Sequence, residues 1–417
     1  MAMKDKLILV YYVVSIFLLA NGAFATSIFL KLHMPFWRQL IWLIGILIVF
    51  VKLRNYKSKI LLEFLNEHKI CFLWTVFLTF LTLLLHNFNV LRLVYAWWLY
   101  FSGLPFVLFP FVLRKCNYSY RVLSYLFIFL GLFMSIGLIL DYSSGGFFTK
   151  IYILSQAQEL AGMIDTGRYC FLSEAPTTFG VYLCFCMALS LYQFSISQKN
   201  IEKLFTFSSS ILFLIGAWFT GSRQIVFTLL IVFISVIGYL LIVKKINVKF
   251  ILITLIILSF SSSLVMNKLF QNDAYQHRFS EETITEDSRS KFWHEGFMYC
   301  IGEFDLKRIL FGEAVALAQT QKALKGEKQG YNYENTFWFR MSETGLSGLY
   351  LLLLPIIYWY KFHQKNQIMD YVIGQLLIAF LIISYISPNG QHQTSQMVIY
   401  IAVGIIIEKK YRILKIR

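Results

Sequence analysis

The stretch "YENTFWFRMSETGLSGLYLLLL", residues 333–354, starts polar and ends as pure hydrocarbon, yet it keeps Glu334, Asn335, Arg340 and Glu343. Glu334 and Asn335 sit where a loop should enter a helix. Asn335 is of the type that caps a helix start, and a carboxylate beside the positive helix end is held ionised. Glu334 is then expected to project into a site at the outer membrane boundary. Arg340 and Glu343, three residues apart, can pair within the helix, and Gly345 and Gly348 offer a flat face to a close-packed neighbour. The structural alternative leaves Asn335 as a cap and Arg340–Glu343 as an internal pair.

Two further stretches carry cations near hydrocarbon. In "WFTGSRQIVF", residues 218–227, Gly221-Ser222 breaks one apolar run and Arg223 opens the next. A guanidinium presents a fixed fork suited to phosphate, and a helix start adds backbone N–H groups pointing the same way. The alternative is an arginine snorkelling to lipid headgroups. In "HRFSEETITEDSRSKFWHEGF", residues 277–297, Asp287-Ser288 reads as a cap. Positions 289, 292, 293, 296 and 297 then repeat as an amphipathic helical face. Phe292, Trp293 and Phe297 are expected to point inward, with Arg289 level with lipid phosphates and His294 in solvent. Arg278, upstream, reads equally well as a solvated charge.

The elements that must hold these residues follow from composition. Hydrophobic residues make up 58% of 417 and charged residues 14%, where a soluble domain carries about 25% charged. Mean hydropathy is +0.63. Apolar runs long enough to cross ~30 Å of hydrocarbon recur at roughly 7–30, 35–52, 70–86, 91–113, 121–140, 175–195, 204–220, 224–243, 250–268, 335–360, 370–387 and 394–408. The sequence therefore predicts an all-α polytopic membrane protein of about twelve spans. Nine lie in 1–268 with a shorter outer loop at 141–174, one large loop covers 269–334, and three more spans with a basic tail occupy 335–417. With both termini cytoplasmic, inner segments collect 22 of the 38 basic residues, as the positive-inside rule requires. The net charge of +16 thus reflects membrane orientation rather than nucleic-acid binding. Half of the 22 acidic residues fall in the 269–334 loop.

The chain lacks a phosphate-binding P-loop, a dinucleotide fingerprint and a zinc-binding His-Glu-x-x-His helix, so no cofactor or metal is expected. The six cysteines have no metal spacing. Cys184 and Cys186 read as small packing residues within a span. Cys170 and Cys300 both fall in outer loops, where an oxidising compartment would permit a disulfide that nothing in the spacing demands. Ala23-Phe24-Ala25 mimics a signal-peptidase site, but the preceding apolar run is long and eleven spans follow, so the first helix is expected to be retained.

Taken together, the motifs resemble the O-antigen ligase/polymerase superfamily of bacterial membrane glycosyltransferases. That family shows Gly-Ser-Arg at an outer helix turn, an Arg-x-x-x-Trp helix in a large periplasmic loop, a "lhGxG"-like turn, and "HNxxLxxxxExGxxGL" entering a late helix. The matching residues here are Gly221-Ser222-Arg223, Arg289 to Trp293, Ile309-Leu310-Phe311-Gly312-Glu313, and Glu334-Asn335 through Glu343, Gly345, Gly348 and Leu349. They cover about the C-terminal half of the chain. Ligases of the family are expected to carry histidine where this chain has Glu334, which favours the polymerase (Wzy-type) branch.

The resemblance implies a GT-C-like frame in the bacterial inner membrane, with short amphipathic helices in the periplasmic loop and a site facing the periplasm. It implies metal-independent, inverting transfer of a growing glycan from undecaprenyl pyrophosphate onto a lipid-linked repeat unit. Arg223 and Arg289, with Arg278 and Arg168 behind them, would hold the pyrophosphate, Asn335 would bind substrate, and Glu334 would serve as base. Membrane lipids, a chain-length regulator and a flippase are the implied partners. An O-antigen ligase shares this chemistry. A lipid-linked oligosaccharide flippase also has about twelve spans, but it should place charges along a mid-membrane cavity and needs no large outer loop. A purely structural membrane protein accounts for the hydropathy and not for Arg223 or Glu334.

Overall fold

The computed structural model describes residues 3–56, 98, 100–154, 168–246, 289–302, 305–312, 335–364, 367–386 and 392–416, with isolated helical positions between them. Glu334 and Arg278 lie outside the described residues, as do most of the expected spans at 70–86 and 250–268. Among the described residues every regular element is helical. In chain order these are α1 (Met3–Ala20), α2 (Gly22–Lys31), α3 (Trp37–Tyr56), α4 (Phe109–Lys115), α5 (Tyr120–Ser143), α6 (Pro176–Ile196) and α7 (Asn200–Phe219). There follow α8 (Arg223–Ile242), α9 (Arg289–Phe297), α10 (Leu306–Phe311), α11 (Thr336–Thr344), α12 (Leu346–Phe362), α13 (Ile368–Ile386) and α14 (Gln393–Ile416). Tighter or wider turns occur at Leu104–Leu108, Lys150–Leu154 and Met298–Gly302.

Among the described residues five helices are long and apolar enough to cross a membrane: α5, α6 over Thr178–Ile196, α7, α8, and α13 over Ile368–Tyr385. They coincide with the spans expected at 121–140, 175–195, 204–220, 224–243 and 370–387, consistent with a helical membrane protein. The bent pair α1–α2 would make a sixth.

Two expected spans are not single helices. The run at 7–30 bends by 100° at Asn21, whose buried amide Nδ2 donates to the Phe17 carbonyl at 2.9 Å and so competes with the helix ladder. The Leu172 carbonyl then accepts from Ala23 N at 3.0 Å, fixing the start of α2. The Ala23-Phe24-Ala25 site mimic therefore lies inside a helix, with both alanines buried. The run at 335–360 breaks at Gly345, where φ 61° and ψ −145° belong to a backbone region open essentially to glycine alone.

The chain divides into two compact units. The first contains Met1–Trp37, Phe111–Glu286 and His363–Ile383. Its centre is α6, of whose membrane window 83% is buried, against 50% for α5, α7 and α8. Small residues let these helices approach, as membrane helices without a hydrophobic drive between them require. A Cβ on Gly216 would meet Ser135 at 2.8 Å, one on Gly131 would meet Cys186 at 2.8 Å, and one on Gly180 would meet Ile225 at 2.5 Å. Phe129, Phe227 and Ile234 point outward, as lipid-facing positions do.

The second unit contains Arg38–Pro110, Asp287–Phe362 and Ser384–Arg417. Here the Leu104–Leu108 turn lies against α14, with Gly404 seated on the Val107 carbonyl and Gly103 on the Gln396 backbone. Trp42 Nε1 donates to the Phe101 carbonyl at 3.0 Å, tying α3 to the same turn. Helices α9 to α12 in this unit are short or broken, and α11 buries Thr336, Arg340, Ser342, Glu343 and Thr344.

Candidate functional site

In the first unit the Gly-Ser-Arg motif forms a turn pinned by the Thr220 hydroxyl. Thr220 Oγ1 donates to the Ala217 carbonyl at 2.6 Å and accepts from Ser222 N at 3.1 Å. Gly221 takes φ 62°, Ser222 is extended, and the chain re-enters a helix at Arg223. Arg223 is half-buried at that helix start. The expected helix break is present, and it leaves the guanidinium's stem no loop in which to wander.

Arg168, also half-buried, belongs to a segment organised by Asp141, a residue with no exposure at all. The Asp141 carboxylate accepts from Phe148 N at 2.8 Å, Thr149 N at 3.1 Å, Phe171 N at 3.2 Å and the Thr149 hydroxyl. Thr149 Oγ1 in turn accepts from Cys170 N at 3.2 Å. The Tyr142 ring touches both Tyr169 at 5.2 Å and Phe219 at 5.0 Å. The Arg168 segment and the turn before Arg223 therefore meet at one end of this unit's bundle. Burial pushes the Tyr169 phenol above its ordinary range, with Tyr142 and Asp141 adding to the effect.

The Cys170–Cys300 disulfide is not formed. Cys170 is a fully buried, free thiol. Burial, then the Asp141 carboxylate, push it well up, which leaves it inert as a nucleophile. Cys300, also buried, directs its Sγ at the Trp338 carbonyl, 3.6 Å away.

In the second unit Asn335 caps α11 as the sequence suggests, its Oδ1 accepting from Phe337 N at 2.8 Å and Trp338 N at 3.2 Å. It is 1% exposed. Helix α9 starts at Arg289 as expected and lies on α11 through the face read from periodicity. The contact position is Gly296, where a Cβ would meet the Trp338 ring at 2.9 Å, whereas Phe297 remains 42% exposed. Two helices crossing this closely need the smallest residue at the crossing, so Gly296 makes the contact while Phe297, at the edge of the same face, meets the Trp338 ring at 5.8 Å. His294 is exposed as expected.

The Ile309–Gly312 turn packs on the other end of α11. Asp305 caps α10, and Gly312 closes it with φ 69° and ψ −169°. Gly312 lies on the Glu343 carbonyl, while a Cβ on Gly345 would meet the Leu310 carbonyl carbon at 2.5 Å. Two glycines of the same rare backbone class thus sit against each other's chain. The flat face expected of Gly345 exists, and a turn rather than a partner helix occupies it. Gly348 is covered by the Arg340 carbonyl of the preceding helix, at 2.6 Å from a Cβ.

Arg340 and Glu343 are both buried and converge on Tyr100. The guanidinium carbon lies 3.7 Å from the centre of the ring. The phenol donates to Glu343 Oε2 at 2.8 Å and shares a hydrogen bond with Thr344 Oγ1 at 3.2 Å. A desolvated cation over an aromatic face is stabilised by about 2 kcal/mol. The two residues therefore anchor α11 through a third side chain, which spacing within one helix could not reveal.

The polar run "SPNGQHQTSQM", residues 387–397, enters α14 and was not among the residues singled out from sequence. Of its described part, Gln393, Thr394, Ser395 and Gln396 are buried. His392 Nδ1 accepts from Thr394 N at 3.4 Å, so its proton is on Nε2. Desolvation, then the nearby Arg38 guanidinium, push this imidazole down to about 3. The available signal was a Pro-Asn-Gly turn followed by six polar residues that run on into an apolar helix. Asp141 likewise had its signal in "DYSSGG", an acid at the end of an apolar run.

Among the described residues no group of three or more His, Cys, Asp or Glu side chains could hold a metal ion. No protein-family model matches this chain, and no curated protein matches it.

Proposed function

We propose that this chain is a polysaccharide polymerase of the bacterial inner membrane, elongating a glycan carried on undecaprenyl pyrophosphate at the periplasmic face. What carries the reading is one local assembly in the second unit. The helix opened by Arg289, the Gly312 turn and the Asn335-capped helix α11, remote in sequence, pack on one another. These are the pieces on which the resemblance rests in that part of the chain. A buried amide cap at the mouth of a broken apolar helix is costly in hydrocarbon, and it fits a site that must grip a polar substrate at the membrane boundary.

In the proposed step a hydroxyl oxygen of the incoming lipid-linked repeat unit bonds to the donor's anomeric carbon. The bond from that carbon to the pyrophosphate oxygen breaks, and its electron pair leaves with undecaprenyl pyrophosphate. Glu334 takes the hydroxyl proton. Arg223 and Arg289, supported by Arg168 and Arg278, stabilise the charge that grows on the leaving pyrophosphate, and Asn335 holds substrate. A flippase would supply the repeat unit and a chain-length regulator would set when extension stops.

The test is a chain-deletion strain read by glycolipid gel. Core bearing a single repeat unit supports a polymerase. Bare core with lipid-linked polymer accumulating indicates a ligase, and single units trapped on the cytoplasmic side indicate a flippase. Within the polymerase reading, Arg223→Ala should abolish extension while protein still accumulates in the membrane, and Glu334→Gln should slow extension severely.

A further inference from the structure

The α9–α11 layer contains three neutral, buried hydrogen-bond donors that no described residue satisfies. Asn335 Nδ2, Trp338 Nε1 and Trp293 Nε1 each lack a partner among the described residues. Their identity as donors is secure: both indole nitrogens can only donate. The Asn335 amide is oriented by two backbone N–H groups on its oxygen, which turns its nitrogen away from the helix end. Leaving such a group unpaired costs about 1–3 kcal/mol each, so three within one small layer point to a missing acceptor.

Aromatic rings surround these donors. Tyr385 lies 5.4 Å from Trp293 and 5.7 Å from Phe337, and Phe297 lies 5.8 Å from Trp338. Tyr385 and Phe297 are each 42% exposed. Neutral donors beside open aromatic faces match a sugar: its hydroxyl, ring or N-acetyl oxygens accept, and its C–H faces lie on rings. An acyl chain would leave the donors unsatisfied. All three donors are neutral, whereas a phosphate is matched by cations such as Arg289 at the start of α9.

We propose that the layer formed by α9 and α11 is a pyranose-binding subsite, with Asn335, Trp338 and Trp293 donating to sugar oxygens and Tyr385 and Phe297 as its stacking walls. This rests on the polymerase reading only for which sugar arrives there, that of the lipid-linked repeat unit or of the growing glycan.

Three substitutions delete a donor and keep the shape. Asn335→Asp retains the cap, since Asp and Asn cap equally well, and removes Nδ2. Trp338→Phe and Trp293→Phe remove Nε1 and leave an aromatic ring. The full chain in detergent is probed by saturation-transfer NMR with methyl glycosides of neutral hexoses, deoxyhexoses and N-acetylhexosamines. The unsubstituted chain should transfer saturation to at least one of them. Each variant should bind that glycoside roughly 3- to 10-fold more weakly, the equivalent of one lost hydrogen bond, with thermal midpoints unchanged or raised. Binding to no glycoside, or unchanged affinity in all three variants, overturns the subsite and leaves the donors to buried water.

The same variants in cells separate this subsite from the reaction. Donor deletions that weaken glycoside binding while the deletion strain makes normal polymer uphold the subsite and sink the polymerase reading. A deletion strain arrested at one repeat unit, with all three variants giving wild-type ladders and affinities, does the reverse.

Discussion

The two units solve the problem of burying a chain in hydrocarbon in opposite ways. In the first, α5 to α8 are unbroken, and their polar groups are mostly hydroxyls returned to carbonyls of their own helix, such as Thr228 to Gln224 and Ser209 to Phe205. Asp141, at the end of α5, is saturated with donors, while the buried Gln193 amide in α6 has neither atom paired among the described residues. In the second, helices stop at Gly312 and Gly345, and a buried cation and carboxylate meet on Tyr100. Regular helices need nothing from outside to satisfy their backbone. Broken ones must find partners, and the breaks persist because neighbouring turns supply them. The difference separates a unit of regular helices from one whose helix breaks are held by buried polar side chains.

The sharpest way to break that contrast is Gly345→Ala set beside Gly238→Ala. The first forces a side chain into a backbone region costing about 1–3 kcal/mol and into the Leu310 carbonyl; the second adds a methyl with nothing within 4 Å. Gly345→Ala should collapse membrane accumulation and chain extension, while Gly238→Ala should match wild type in immunoblot and ladder. Equal behaviour of the two would mean that the Gly345 break carries no structural demand.

Next in size is Asp141→Asn. It turns a carboxylate that collects four donors into an amide whose nitrogen faces N–H groups, at roughly 2–3 kcal/mol. The thermal midpoint in detergent should fall, and proteolysis in the 141–174 segment should quicken. Should this variant lose extension but keep its midpoint, the Arg168 segment belongs to the chemistry as well as to the scaffold.

Tyr100→Phe keeps the ring beneath Arg340 and deletes the donor to Glu343. A cost of about 1.5 kcal/mol, the low end for a hydrogen bond to a charged group, is expected in the midpoint. A second change at Glu343→Gln should add less than its own effect alone, because the two share one bond.

The smallest effect is a pH dependence from His392. The unfolded imidazole takes a proton near pH 6.5, whereas the folded one resists until about 3. Below pH 6.5 the unfolded state therefore holds more protons, and stability falls with pH through the window from about 7 to 3. Between pH 7.5 and 5.5 the loss is about 1 kcal/mol, and His392→Gln should flatten that part of the profile. An unchanged slope in the variant assigns the dependence to other groups.

Much of this was legible because its causes are local. The five long spans follow from runs of apolar residues, the turn before Arg223 from Gly221-Ser222, and the α11 cap from an asparagine ahead of an apolar run. The misread points depend on residues remote in sequence. Periodicity placed Phe297 inward, but the crossing at Trp338 is made by Gly296 of the same face, which leaves Phe297 at its edge, 42% exposed. Residues 335–360 carry enough apolar character for a span, yet Gly345 breaks the run because the Ile309–Gly312 turn occupies the space a straight helix would need.

The sequence by itself determined a helical, membrane-compatible chain, the positions of its polar interruptions, and the residues able to hold phosphate or move a proton. Hydropathy and capping act within a few residues and leave their record in order and spacing. Only the tertiary structure decided that Arg340 and Glu343 serve Tyr100, that Asp141 gathers a distant loop, and that three donors on α9 and α11 face no acceptor among the described residues. Those facts depend on which segments approach in space, and buried polar groups choose partners by proximity rather than by distance along the chain.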